Sequence, residues 1–481
     1  MQKISVKTIY LILVISIGLV GLGVGSTFAM FTASSKIDNP ISFTAGIFGE
    51  SDVMETVEIT VSAGETKATN LHVTNSTNSN LNYVMWYIDE GLDIELGSKR
   101  TDSGTYQTTI GAGEEHQYEV SIRNNSNSDV TVVIGVSSGT GSVTLNSDMK
   151  MVPQSELKPT LASVITNLYI SNTKTKVTNN SITYQYDTTN NLMQDTAGNI
   201  RYYGASPNNY IYFNCDSYPS TNCELWRIIG VFDGKIKLMR NEIIGSYSWD
   251  TSAPSINSGY GVNEWSQADI MKLLNPDHES ESVGGSLYYN SKSGTCYNNS
   301  KYATTSCNFT STGIKNDTTR NMIAETTWNL GGWNTPDIYS NVMYEKERGT
   351  TVISNPSDGI TRATTWTGKI ALLYPSDYGY ATDLSKCSQT LVNYDSNTDS
   401  YACRSNDWMY SIFKTNSYNW LLTSHSGYAN TAFYVPSTGS VSYGNYRVSY
   451  ARGVAPVLYL GSDQDIVAGD GSQSNPYQLA A

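Results

Sequence analysis

Two stretches decide the first half of the chain: VSAGETKATNLHVTNSTNSNLNYV, residues 61–84, and IGAGEEHQYEVSIRNNSNSDVTVV, residues 110–133. They align without a gap at a constant offset of 49 positions. Ala63-Gly64-Glu65 falls on Ala112-Gly113-Glu114, Leu71 and Val73 on Val120 and Ile122, and Asn75 on Asn124. Each copy reads as strand, Gly turn, alternating strand, Asn/Ser turn, strand. The alternation in "LHV" and "YEVSI" gives one apolar and one polar face. Two such units complete the halves of one antiparallel sandwich, expected over 47–150. Its two histidines, His72 and His116, fall at solvent-side or turn-edge positions.

Upstream, Lys3 and Lys7 precede an apolar run from Ile9 to Val24, and small residues follow up to Ala29. This is the pattern of a secretory signal over 1–29. The alternative is a membrane anchor, because the run up to Phe31 is long enough to span a bilayer. The stretches "GSTFAMFTAS" and "NPISFTAGIF" resemble the signal region of the camelysin and TasA biofilm-fibre proteins. That resemblance implies export, with residues 30–46 as a linker. Downstream, "KMVPQSELKPTLASVI" carries two prolines, and a second linker is expected over 151–165.

Composition fits the outside of a cell. Only 15% of the 481 residues are charged, and the net charge is −13. No basic stripe offers a nucleic-acid footprint, and an acidic chain is repelled by anionic lipid. Membrane contact is therefore expected only through the N-terminal segment, if it is retained. Tyr outnumbers Phe by 35 to 9, which suits aromatic surface with a polar tip. Six cysteines form three close-spaced pairs, Cys215/Cys223, Cys296/Cys307 and Cys387/Cys403, each bracketing a Ser/Asn/Tyr-rich segment. Zinc spacings are absent. Three local disulfides in an oxidising compartment are expected.

From Ser181 onward the text changes. In "ELWRIIGVFDGKIKLMR", residues 224–240, Asp233-Gly234 marks a hairpin. "NEWSQADIMKLLNP" reads as a helix capped by Ser266. A second helix is expected within "GIKNDTTRNMIAETTWNLGG", closed by Gly331-Gly332. Strands, two helices, long loops and a strand-rich finish resemble the C-type lectin-like fold of a set of secreted bacterial proteins. The likeness rests on "YSWDTSAPSINSGYGVNEWSQADIMKLLNP", "TGIKNDTTRNMIAETTWN", "TWTGKIALLYPSDYGYATDL", "YNWLLTSHSG" and "RGVAPVLYL". The last two resemble the frame that closes those domains. Thr423-Ser424-His425 replaces its Arg-Ser-Pro part, and Ala455 stands where Arg is common. The implied fold class is an N-terminal all-β sandwich followed by an α+β C-type-lectin-like domain over 166–481.

Catalytic and metal motifs are missing. There are four histidines, and no nucleophile elbow, phosphate loop or His-Glu-x-x-His helix. His278, among Asp277, Glu279 and Glu281, reads as a solvated acidic loop. The calcium motifs of sugar-binding C-type lectins are not found, and "SDQDIVAGDGSQSNPYQL" reads as a closing hairpin. No enzyme activity, cofactor or metal is expected. The fold also hosts formylglycine-generating enzymes, which work through cysteines, but the three pairs leave no cysteine over.

The segment 424–450 remains. Its alphabet of Tyr, Ser, Asn, Gly and one Arg is that of a binding loop. In lectin-like proteins this region is the ligand-facing surface. The expected contact set is Ser424, His425, Ser426, Tyr428, Asn430, Tyr434, Tyr443, Asn445, Tyr446, Arg447 and Tyr450, with period-two alternation turning some of them inward. The expected function is a secreted or cell-surface protein that binds an extracellular protein or glycan. The alternatives are a biofilm-matrix or fibre subunit and, third, an enzyme of the formylglycine-generating type.

Overall fold

A computed structural model describes residues 41–45, 47–48, 51–77, 80–88, 92–100, 109–139, 152–153, 160–252, 260–299, 302–354, 356–395, 398–444, 447–462 and 464–480. The signal segment 1–29 lies outside these residues, as do most of the two expected linkers. The fold is β-rich with few helices, and the chain divides into two compact units, Met1–Ser171 and Asn172–Ala481.

The first unit consists of two sheets enclosing one apolar core, in which Val61, Leu71, Val73, Trp86, Val120, Ile122 and Ile134 are buried. One sheet has the order Ile41–Ala45, Thr66–Asn75, Glu115–Asn124, Leu92–Arg100. The other runs Val152–Pro153, Leu81–Ile88, Val130–Gly139, Ser51–Val61, Ile47–Phe48, with Thr109–Ile110 beside Leu81–Ile88.

The repeat is visible as a local two-fold. Thr66 pairs with Arg123 and Thr74 with Glu115, so the two equivalent strands run antiparallel and exchange places under the 49-residue offset. Val61 pairs with Val130 as Ile110 pairs with Leu81. The two asparagines obey the same rule. Asn75 Nδ2 donates to the Ile110 carbonyl (3.1 Å), and Asn124 Nδ2 donates to the Val61 carbonyl (2.8 Å). Each accepts at Oδ1 from the backbone N–H and hydroxyl two residues on, Thr77 in one copy and Ser126 in the other. Both are buried, so these bonds replace the water that the amides and the backbone lose.

Three expectations change here. Ile41–Ala45, read as linker, is a strand lying parallel to Thr66–Asn75, its Ile41 opposite Leu71. The second linker gives way at Leu161–Ile170, a helix whose N-cap Thr160 accepts from the Ser163 N–H and whose Leu161, Ile165 and Tyr169 fall on one buried face. His116 is buried against the Tyr83 hydroxyl (2.7 Å), whereas His72 stays near the surface and meets Glu115.

In the second unit a nine-stranded sheet has the order Thr175–Asn179, Ile182–Asp187, Leu192–Gln194, Ile200–Tyr202, Glu224–Phe232, Lys235–Arg240, Val457–Tyr459, Ile370–Ala371, with Tyr210–Phe213 beside Glu224–Phe232. The Asp233-Gly234 turn takes positive φ at both residues, the tight hairpin the dipeptide predicts. Gly230 sits at a bulge in this sheet, where a Cβ would collide with the Ile200 carbonyl. Val457–Tyr459 returns the C-terminal text to this sheet, between Lys235–Arg240 and Ile370–Ala371, and Ile466–Ala468 closes a small hairpin with Gln478–Leu479.

Both expected helices are shorter than read. Ser266 is not a cap. Glu264 accepts from its N–H and hydroxyl, the chain makes one tight turn, and the α-helix begins at Asp269 and ends at Leu274. The second spans Asp317–Met322 with Asn316 as its cap, and Thr326–Asn329 is already a strand, as the β-branched pair before Trp328 favours. The three disulfides are Cys215–Cys223, Cys296–Cys307 and Cys387–Cys403, with no free cysteine. They point to an oxidising compartment, extracellular or periplasmic. Among the described residues no helix is long and apolar enough to cross a membrane.

Candidate functional site

The segment 424–450 grows out of a four-stranded sheet, ordered Ser246–Ser248, Ala451–Gly453, Tyr418–Ser424, Ala432–Pro436. Trp420 faces Tyr434 across one strand pair; the register then shifts before Ser424 meets Ala432. Residues 425–431 form the loop between these strands.

Buried polar groups beneath fix its backbone. The Asn263 amide donates to the carbonyls of His425, Tyr428 and Thr431 at 3.1, 2.8 and 2.7 Å. Arg362 donates to Asn263 Oδ1 (2.9 Å), to the Ala429 carbonyl (2.6 Å) and to both oxygens of Asp358. The second arm is tied in at Val448, whose N–H donates to the Asn430 carbonyl.

On this base the rings stack. The His425 imidazole lies between Tyr428 and Tyr443, at centroid distances of 4.8 and 4.5 Å, with Phe433 at 5.9 Å. Its Nδ1 accepts from the Gly427 N–H. Burial lowers the His425 pKa and favours a neutral ring, opposed by a hydrogen bond to the Asn334 backbone. Tyr428 stands 57% exposed. The Arg447 guanidinium covers the Tyr260 ring, and Lys346 Nζ lies 3.8 Å over Trp333, whose carbonyl accepts from the Ser426 N–H. This end of the unit offers a ligand ring faces, hydroxyls and one guanidinium.

The expected contact set therefore divides. Tyr428 is exposed, and Ser424, Ser426, Asn430, Tyr443, Arg447 and Tyr450 are half-buried. Tyr434 and His425, expected as contacts, are each 3% exposed. Tyr434 packs on Tyr418, Trp420 and the Arg452 guanidinium, because its strand turns that face toward the sheet. His425 packs against the Tyr428 and Tyr443 rings. Asn445 and Tyr446 lie outside the described residues. Sequence reasoning missed Trp333, Tyr260, Asn263 and Arg362. Trp333 directly follows the glycine pair read as a helix stop, and a Cβ at Gly332 would collide with the Ser424 carbonyl. That close approach brings Trp333 to the loop.

No family model matches the chain, and no curated protein matches it. Among solved structures it is similar to PliG of Salmonella Typhimurium, a periplasmic lysozyme inhibitor of g-type lysozyme. The identity is 9%, over 21% of this chain and 100% of that one, with a TM-score of 0.14. A likeness that slight carries no argument.

Proposed function

We propose that the chain is an exported surface protein whose second unit is C-type-lectin-like and binds an external protein or glycan through the surface around Tyr428. One observation carries the reading: an exposed tyrosine on a loop whose backbone is held by buried Asn263 and Arg362. A fixed loop loses little entropy on binding, and tyrosine supplies contact area at low conformational cost. The three disulfides support export. The flanking stretches "YNWLLTSHSG" and "RGVAPVLYL" support the lectin-like frame.

Arrays of glycans and extracellular proteins, probed with the intact protein and with Arg447→Ala, test it. The expected result is a signal that the variant loses while its melting temperature holds. Equal signals from both proteins, or no signal from either, would overturn the reading in favour of a matrix or fibre subunit.

A further inference from the structure

A second surface of the same unit, independent of the Tyr428 loop, carries a different chemistry. Its centre is Arg227, on the strand Glu224–Phe232. Of the five other arginines and lysines buried in this unit, four meet carboxylates. Arg201 reaches Asp195 and Asp377, Arg240 reaches Glu224, Arg362 reaches Asp358, and Lys237 reaches Asp377. Arg227 is as buried as these, at 2% exposure, yet no carboxylate lies within ion-pair distance of it among the described residues.

Its guanidinium is nevertheless firmly placed. Nε donates to Asn209 Oδ1 at 2.6 Å, and Asn209 is itself held through its amide on the Ile228 carbonyl. The Tyr210 ring lies 3.8 Å from the guanidinium carbon and the Trp408 ring 4.6 Å from it. Trp408 is fixed by its own N–H on the Tyr202 carbonyl. Among the described residues Nη2 has no hydrogen-bond partner. A buried donor left unmet is costly, and a buried charge more so. Burial pushes this guanidinium's pKa down to about 10, with Tyr210 opposing. It remains a cation at neutral pH.

Arg227 also lines an open groove of about 550 Å³. Asn241, Ser411, Thr415 and Gln473 supply amides and hydroxyls to its walls, and Tyr210 supplies a ring. The acidic side chain on the lining is Glu242, 78% exposed and 3.9 Å from Arg240. With Nε committed to Asn209 and Nη2 buried, the guanidinium meets the groove as a cation with no counter-ion among the described residues, which favours an anion such as a carboxylate. The surrounding amides, hydroxyls and ring are groups that pair with hydroxyls and with the apolar face of a sugar. We propose that this groove binds the carboxylate of an acidic saccharide, with Arg227 as its anchor.

Sodium glucuronate, glucose and inorganic sulfate, each titrated into the intact protein by calorimetry, form the test. Saturable binding of glucuronate is expected, with none of glucose and weaker binding of sulfate. Arg227→Lys keeps the charge but loses the Asn209 bond and the planar stack on Tyr210 and Trp408 that place it, and should weaken glucuronate by about tenfold or more. Because that variant alters a buried site, Thr415→Glu serves beside it. Thr415 is exposed, so the protein should melt unchanged while the new charge repels glucuronate. Failure of glucuronate to saturate, equal binding of glucose, preference for sulfate, or full glucuronate affinity in Thr415→Glu would each overturn the proposal. None of these outcomes bears on the Tyr428 surface, so the two readings fail separately.

Discussion

The two units solve the burial of polar groups in opposite ways. In the first, Asn75 and Asn124 are neutral amides that hold turns and strand ends through backbone bonds. In the second, full charges lie inside. Arg201, Lys237 and Asp377 form a chain with 0–1% side-chain exposure, walled by Phe232, Tyr344, Tyr374, Tyr380 and Tyr459. A neutral amide replaces water one bond at a time. A buried ion depends on its counter-ion being present. The first solution tolerates damage locally, and the second does not.

The sharpest way to break the contrast is to remove one partner from each. Asp377→Ala would leave Arg201 with Asp195 alone and Lys237 with no carboxylate, and should cost the second unit about 3–5 kcal/mol. Asn75→Ala and Asn124→Ala should each cost the first unit less, about 1–3 kcal/mol, and by similar amounts in the two copies. Urea unfolding followed by hydrogen exchange in each unit measures both. A loss at Asp377 no larger than at the asparagines would end the distinction.

The next effect is one of pH. Burial raises Glu347 to about 7 against the pull of Arg348 and Ser376. Burial likewise raises Asp407 to about 7 against hydrogen bonds from Thr382, Met409 and Tyr410. In an unfolded chain both titrate near 4. The folded second unit therefore holds more protons between pH about 4 and 7, and its stability is full below that window and falls as pH rises through it. Asp377 works the other way. Burial raises it, but Lys237 and Arg201 outweigh burial and hold it at about 2, so its contribution is lost only as pH falls below about 4. In the first unit Glu115 is lowered, chiefly by Gln117. Melting at stepped pH should show the second unit weakening from pH 4 to 7 by several kcal/mol while the first does not. Asp407→Asn, which keeps an acceptor for the Met409 and Tyr410 N–H groups, should flatten that slope. An unchanged slope would refute the assignment.

This contrast also explains what was readable in the sequence. The repeat was legible because its contacts follow its spacing: an offset of 49 places each asparagine against the start of the other copy. The Asp233-Gly234 turn and the three disulfides were legible for the same reason, since their partners are close in the chain. The ion chain was not. Arg201 and Asp377 are 176 positions apart, Lys237 and Asp377 are 140, and nothing local marks them as partners. The site shows both cases. The Tyr/Ser/Asn alphabet located the loop, but Asn263 and Arg362, which fix it, come from segments 165 and 67 positions away from residues they hold. Alternation would put Tyr428 and Tyr434, six positions apart, on one face, and the register shift between Trp420 and Ser424 breaks it.

The smallest expected change in stability falls at Tyr428, and that smallness is the test. Tyr428 and Tyr434 sit six positions apart in one Tyr-rich segment, and sequence alone treats them alike. Tyr434 is buried among Tyr418, Trp420 and Arg452, so Tyr434→Ala removes packing and should cost about 3–5 kcal/mol. Tyr428 touches the His425 ring on one side and stands open on the other, so Tyr428→Ala should stay within about 0.5 kcal/mol of the parent. Its loop keeps its shape in the variant because Asn263 holds the Tyr428 carbonyl and not its ring. Any ligand identified on arrays should lose affinity with Tyr428→Ala by about 2 kcal/mol if the ring is an anchor. A Tyr428→Ala protein that melts several degrees lower would mean that the ring is a lid over His425. One that melts unchanged and binds unchanged would move the contact surface away from this loop.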